Sequence, residues 1–376
     1  LDNIVAALKC SDRVCEIELS ISKILDWGIL LAAMRRPFPE LTHLELSRDE
    51  AAVVPDSFLC GFAPRLEVVH FIGIPFPGIP KLLLSATRLI ELRLYDIPHS
   101  GYFSPDAMVA ALSTMTSLES LLLTFESPES CPDLEIRRLP PSSRFDLPVL
   151  TSFEFLGVSE YLEDLVADID APRLNRLDIT FFNDVVFDTP QLIRFISCTP
   201  MSSVLENARI ALLSTGACVS FRPQIHGHVE LEVSILCEGL DWQLSFLEQA
   251  CTSCLPFLST LEDLYINKST RSKPDWKDNI GNGSWLELLR PFTAMKNLYL
   301  SKNIALRIGP ALQEHIEGRT TEVLCTLENV FLEGLGPSGR VQEGIGHFVA
   351  AQQVVGHRIA ISDWANPRKE HGIYWG

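Results

Sequence analysis

Residues 334 to 339 read "GLGPSG", a literal G-x-G-x-x-G. That spacing lets backbone N–H groups approach a pyrophosphate in a dinucleotide-binding fold. "LENVFLEGL" before it reads as a strand and "RVQEGIGHFVAAQQ" after it as a helix. Asp363 stands where an acid for a ribose hydroxyl is expected. Two features argue against a nucleotide. The strand carries Glu328, Asn329 and Glu333, whereas a dinucleotide-binding first strand is buried on both faces and nearly continuously apolar. Only about 37 residues follow Gly339, too few for the rest of a nucleotide-binding half. The expectation is a turn, with a nucleotide enzyme as the remote alternative.

The other reactive residue types gather no better. Cys251 and Cys254 form a C-x-x-C inside an apolar segment expected to be helical. No second pair completes a zinc site, and the strand context of a redox motif is missing. His226 and His228 form an H-x-H without an obvious third ligand. Carboxylate pairs such as Asp168 and Asp170 fall at helix ends. There is no G-x-S-x-G, no G-x-x-x-x-G-K-[ST] and no H-E-x-x-H, so nothing joins a nucleophile, a base and an orienting group. The expectation is a non-enzyme with no catalytic residue, no cofactor and no metal.

The elements that carry these residues follow one pattern. L-x-x-L-x-L recurs as "VCEIEL" (Val14), "LTHLEL" (Leu41), "LEVVHF" (Leu66), "LIELRL" (Leu89), "LESLLL" (Leu118), "LTSFEF" (Leu150) and "LNRLDI" (Leu174). It returns as "LEDLYI" (Leu261), "MKNLYL" (Met295) and "LENVFL" (Leu327), with "LENARI" (Leu205) and "HVELEVSI" (His228) as degraded copies. The mean spacing is about 28 residues, within the leucine-rich-repeat range. Alternate residues of a strand face opposite ways, so each copy turns one apolar row inward, and only stacking buries it. The returns read as helices, for example "SPDAMVAALSTM", "SEYLEDLVADI", "TPQLIRFISC" and "IALRIGPALQEHIEG". Ser104 and Ser159 suit N-caps, and Pro105 and Pro190 suit first turns.

The expected fold class is therefore α/β: a leucine-rich-repeat solenoid (horseshoe), parallel strands concave, helices convex, its irregular repeats about 28 residues long. It is expected to form one domain over 1–376 with about 12 repeats. Residues 199–258 fit poorly, and long loops are expected near 126–148 and 267–284. Asp49, Ile74, Ile97, Glu126 and Val158 replace the Asn or Cys that follows the third apolar position in many such repeats. An asparagine ladder is accordingly not expected to stitch the turns.

Composition limits the partners. The 31 basic and 48 acidic residues leave a net charge of −17, which repels phosphate backbones and anionic lipid. No nucleic acid and no membrane are expected as partners. The ten scattered cysteines read as reduced core thiols, and no uncharged stretch reaches the length of a membrane span. With no signal peptide at its start, the chain is expected to be cytoplasmic or nuclear, not secreted. Leu1 is not an initiator Met, so a longer parent protein is expected.

The candidate binding residues stand between the second and third apolar positions and face out of the sheet. They are Glu18, Glu45, His70, Arg93, Leu122, Glu154 and Asp178, and later Tyr265, Tyr299 and Phe331. One column on the concave face is expected, with Tyr95, Arg176, Asp263 and Asn297 beside it. Exposed aromatics anchor protein partners, and they also pack on one another across strands; both readings stay open here. On the anchor reading, Tyr299→Ala with Phe331→Ala weakens binding and leaves the fold nearly intact.

Longer phrases add a family likeness. They include "DNIVAALKCSDRVCEIEL", "PFPELTHLEL", "GIPFPGIPKLLLSATRLIELRLYDIPHSGYFSPDAMVAALSTMTSLESL", "GVSEYLEDLVADIDAPRLNRLDITFFN", "FDTPQLIRFI" and "WLELLRPFTAMKNLYLS". Across nearly its whole length the chain resembles the leucine-rich-repeat region of fungal, especially basidiomycete, F-box proteins. The resemblance implies the substrate-recognition part of a cullin-type ubiquitin ligase, holding a protein substrate on the concave face. In that family an F-box docks a Skp-type adaptor and through it the cullin. The F-box phrase is absent from this chain, so no adaptor-binding residue is assigned. The alternative is a stand-alone repeat scaffold or inhibitor with no ubiquitin link.

Overall fold

A computed structural model of the protein describes residues 1–21, 24–48, 53–130, 144–182, 189–203, 205–223, 229–268, 282–317, 324–335 and 343–364. They form an α/β protein in two compact units, Leu1–Ser203 and Val204–Gly376.

In the first unit the motif copies become strands β1 (Glu16–Ile21), β2 (His43–Arg48), β3 (Val68–Ile72), β4 (Glu91–Ile97) and β5 (Ser120–Phe125). After the short β6 (Phe145–Asp146) come β7 (Ser152–Gly157), the short β8 (Ile169–Asp170) and β9 (Arg176–Phe181). The sheet order is β1-β2-β3-β4-β5-β7-β9, every pair parallel. The motif explains this order. Leu41, Leu44 and Leu46 are all fully buried, as are Leu89, Leu92 and Leu118, while the residues between them face out. Burying one such leucine contributes about 1.5–3 kcal/mol relative to exposure.

The strands are also joined at their entry by a recurring backbone device. One carbonyl accepts two N–H groups from the next strand's start. Cys15 O accepts from Thr42 and His43, Thr42 O from Glu67 and Val68, and Glu67 O from Ile90 and Glu91. Ile90 O, Glu119 O and Thr151 O continue the series, with all these bonds between 2.8 and 3.2 Å.

Among the described residues six α-helices accompany these strands: α1 (Asp2–Leu8), α2 (Ile24–Ala33), α3 (Ile79–Leu83), α4 (Pro105–Leu112), α5 (Ser159–Ala167) and α6 (Pro190–Ser197). Ser104 caps α4 as expected, its hydroxyl accepting from Ala107 N at 3.3 Å. Ser159 does not cap α5. It lies inside the first turn, and Val158 holds the cap position without a side-chain bond. For α6 the neighbouring helix does the capping: the Glu163 carboxylate of α5 accepts from Gln191 N (3.0 Å) and Leu192 N (2.7 Å). An acid there also meets the positive end of the helix dipole.

The second unit departs from the expected pattern. Its strands are β10 (Asn207–Leu212), β11 (Gly216–Arg222), β12 (Glu230–Leu236), β13 (Asp263–Lys268), β14 (Asn297–Leu300), β15 (Asn329–Glu333) and β16 (Ala360–Trp364). Their order is β12-β11-β10-β13-β14-β15-β16. From β10 through β13 to β16 the pairs are parallel, but β11 runs antiparallel to both its neighbours. The two degraded copies at Leu205 and His228 are therefore strands β10 and β12, and "GACVSFR" between them is a strand of the opposite direction. Helices α7 (Leu240–Gln249), α8 (Asn282–Leu289), α9 (Lys302–Glu317) and α10 (Glu343–Val354) pack in succession along the chain.

The edges of both expected long loops fall in described elements. β13 runs to Lys268 and α8 starts at Asn282, while 269–281 lie outside the described residues. In the other, β6 pairs with β8, and 131–143 lie outside the described residues. Arg144, with only 7% of its side chain exposed, bonds Ala167 O and Val166 O at the end of α5 and Asp170 Oδ1 at 2.8 Å. Asp170 is thus half of a structural ion pair. Among the described residues no helix is long and apolar enough to cross a membrane.

Candidate functional site: the outward faces of the strands

In the first unit the strand register brings the expected column together residue by residue. Glu18 lies beside Glu45, Glu45 beside His70, His70 beside Arg93, Arg93 beside Leu122, Leu122 beside Glu154 and Glu154 beside Asp178. These side chains are not independent. The His70 ring stands 3.3 Å from Glu45 through Nδ1 and 2.9 Å from Glu91 through Nε2. Glu91 also takes Arg93 Nε at 2.6 Å, and Arg176 comes within 3.9 Å of Asp178. Leu122 is only 5% exposed, so it fills the row between its charged neighbours and offers little surface. Tyr95 lies in register with Ile72 and borders a shallow hollow among Phe71, Ile74, Phe76 and Phe103 with about 10 Å³ of room, far less than a ligand pocket offers.

The second unit carries the aromatic row, again in register: Tyr265 beside Tyr299 beside Phe331. The rings are stacked, with centroids 4.1 and 4.4 Å apart and planes within 11° and 7°. The row extends further than the motif shows. Arg209 of β10 lies over Tyr265 at 5.1 Å, in register with Ser220 of β11, which is in register with Glu232 of β12. Trp364 of β16 reaches back over the row, its ring 5.6 Å from Tyr299 and 5.9 Å from Tyr265 at steep angles. Sequence reasoning missed Arg209 and Trp364. Arg209 sits in a degraded copy, and Trp364 lies on a strand with no L-x-x-L-x-L to announce it.

Below this row runs a polar ladder. Asn329 Nδ2 donates to Asn297 Oδ1 at 2.8 Å, and Asn297 Nδ2 donates to Asp263 Oδ1 at 2.6 Å. The turn position is indeed occupied by other residues, but an amide ladder forms on the outward face at the first residue of each strand. Asp263 is 9% exposed and Asn297 is committed to it, so both act first on the strand stack. The expectation that the double alanine change leaves the fold nearly intact needs correction, because Tyr299 contacts three rings.

Burial raises the pKa of Tyr265 and Tyr299 above the ordinary phenol value. For Tyr299 the neighbouring Tyr265 and Asp263 add to the shift; for Tyr265, Asp263 adds while the bond to Tyr299 and the Arg209 charge oppose it. A raised folded-state value favours the protonated phenol in the fold. The associated stability is fully present below about pH 10 and is lost as pH rises through the folded values. A titration followed at the phenolate absorbance is expected to show a late-ionising fraction that shrinks in Tyr265→Phe and Tyr299→Phe. The same late fraction in both variants would overturn this assignment.

The remaining motifs do not assemble. β15 alternates buried and half-exposed residues, unlike a doubly buried strand. Gly334 adopts φ +74°, which glycine tolerates, and Asp363 Oδ1 accepts from Leu335 N at 2.7 Å. That acid therefore ties down the glycine turn itself; Gly336 to Gly339 lie outside the described residues. Cys251 is buried in the π turn Ala250–Cys254 that ends α7, and His226 and His228 lie outside the described residues. Among the described residues no three His, Cys, Asp or Glu side chains gather as a metal site. No protein-family model and no curated protein matches this chain.

Proposed function

We propose that the chain is a non-catalytic leucine-rich-repeat recognition module, the substrate-binding part of an F-box subunit of a cullin-type ubiquitin ligase. The observation that carries the recognition reading is the in-register outward row of the first unit, from Glu18 to Asp178. Six of its seven parallel strands present a polar or charged side chain there, and Leu122 fills the row between them. Such a surface recognises a folded partner by charge and shape over a broad area, and its acids favour a basic partner. The ligase part of the reading is supported by the phrase-level resemblance alone.

Affinity capture of the full-length gene product from its host, read by mass spectrometry, tests the ligase link. A Skp-type adaptor and a cullin are expected with the bait. Their absence, with the bait intact, would leave a repeat scaffold or inhibitor with no ubiquitin role. The face itself is tested with Glu18→Lys plus Glu154→Lys, two acids outside the His70 network. This pair is expected to weaken binding of the captured substrate about tenfold with an unchanged melting temperature, two lost charge contacts of roughly 0.7 kcal/mol each. Unchanged affinity would remove this face as the binding surface.

A further inference from the structure

The stacked row of the second unit is closed at one end and open at the other. At the β10 end the Arg209 guanidinium covers Tyr265. At the β16 end the residue in register with Phe331 is Ser362, a short exposed side chain that brings neither ring nor guanidinium against Phe331. Trp364, two residues on, lies over Tyr299 and Tyr265. β16 is also the last strand in its order, so among the described residues its outer backbone edge is unpaired. Such an edge offers N–H and C=O groups to an incoming strand.

We propose that this shelf receives an arginine from an extended segment of a partner protein, the segment pairing along β16 and the guanidinium stacking on Phe331 above Ser362. The inference rests on the reading of the strand faces as recognition surfaces and names the chemistry of one contact. Three observations favour arginine. The row already ends at its other terminus in a guanidinium, Arg209 Cζ lying 5.1 Å from the Tyr265 ring centroid. The chain carries a net charge of −17, which favours a cationic side chain over an anionic one. A guanidinium stacks flat on a ring and stays charged, whereas an ammonium offers no plane.

The probe is a capped pentapeptide with a central arginine between glycine and serine residues, titrated into the whole chain. The same peptide with citrulline, lysine or phenylalanine at the centre serves for comparison. Ring signals of Phe331 and the amide of Ser362 are followed by NMR. Saturable shifts are expected at both, with the arginine peptide binding about threefold more tightly than the citrulline one, a typical exposed cation–π gain. Ser362→Trp, which fills the shelf, is expected to abolish the response, and Ser362→Ala to preserve it.

No saturable shift at Phe331, or an equal response in Ser362→Trp, would overturn the proposal. Tighter binding of the phenylalanine peptide would assign the shelf to an aromatic anchor and overturn the choice of arginine. Dimerisation through β16, seen by sedimentation and abolished by Ser362→Trp, would assign the edge to a second copy and likewise overturn it. If the peptide fails while the Glu18 and Glu154 reversals still weaken the captured substrate, the shelf falls and the recognition reading stands.

Discussion

Replacing Gly344 by alanine is expected to lower the stability of the Val204–Gly376 unit by about 3 kcal/mol, the upper range for overpacking a tight contact. Gly344 stands in the first turn of α10, where that helix crosses α9. A methyl group built there would overlap the Gly309 carbonyl and lie 3.1 Å from Gly309 Cα. The obstacle is backbone, so no rotamer change relieves it, and the two helices must separate. Denaturant unfolding gives the measurement: the midpoint should fall with an unchanged slope. Leu306→Ala, at an exposed site on α9, should change stability by no more than about 0.5 kcal/mol. A midpoint for Gly344→Ala as close to wild type as that control would show that α9 and α10 can slide apart at no cost.

Tyr299→Ala is expected to cost a similar amount, about 3 kcal/mol, at the lower edge of the range for removing a buried aromatic. The ring is only half-buried, but it lies between Tyr265 and Phe331 and against Trp364. Deleting it leaves a gap in the middle of the stack and removes the support of Trp364. The near-ultraviolet circular dichroism of Trp364 should weaken in parallel with the lower unfolding midpoint. Tyr299→Phe keeps the stack and gives up only the hydroxyl bond to Tyr265, about 1 kcal/mol. If alanine and phenylalanine behaved alike, the stack would contribute nothing and the row would be free to serve a partner alone.

The strands and the rows they carry were legible because their cause is local. Leu41, Leu44 and Leu46 fix which side of β2 is buried, and that settles where Glu45 points. Equal treatment of every copy then puts Glu45 beside His70 and Tyr299 beside Phe331. The antiparallel β11 was not legible. Its residues from Gly216 to Phe221 are buried on both faces, so no alternation marks them, and strand direction is a tertiary choice. Trp364 was missed for another reason. A long side chain crosses neighbouring strands, and its destination depends on which of them leave room, as the exposed Ser362 and half-buried Glu333 do not reveal in sequence. The Asp263–Asn297–Asn329 ladder was not legible either, because it sits at the first residue of each strand and not at the turn position where such repeats carry an asparagine.

The carbonyl that accepts two N–H groups from the following strand belongs in turn to Cys15, Thr42, Glu67, Ile90, Glu119 and Thr151. A thiol, two hydroxyls, two acids and a hydrocarbon share one duty because only their main chain performs it. The side chains can therefore differ chemically, and the Thr42 and Thr151 hydroxyls add a further bond to the Cys15 and Glu119 carbonyls. The joint also makes unequal recombination tolerable. A coding segment duplicated from one such residue to the next would add a strand whose new borders carry the same paired backbone bonds, so length can change in inheritance without inventing a new junction.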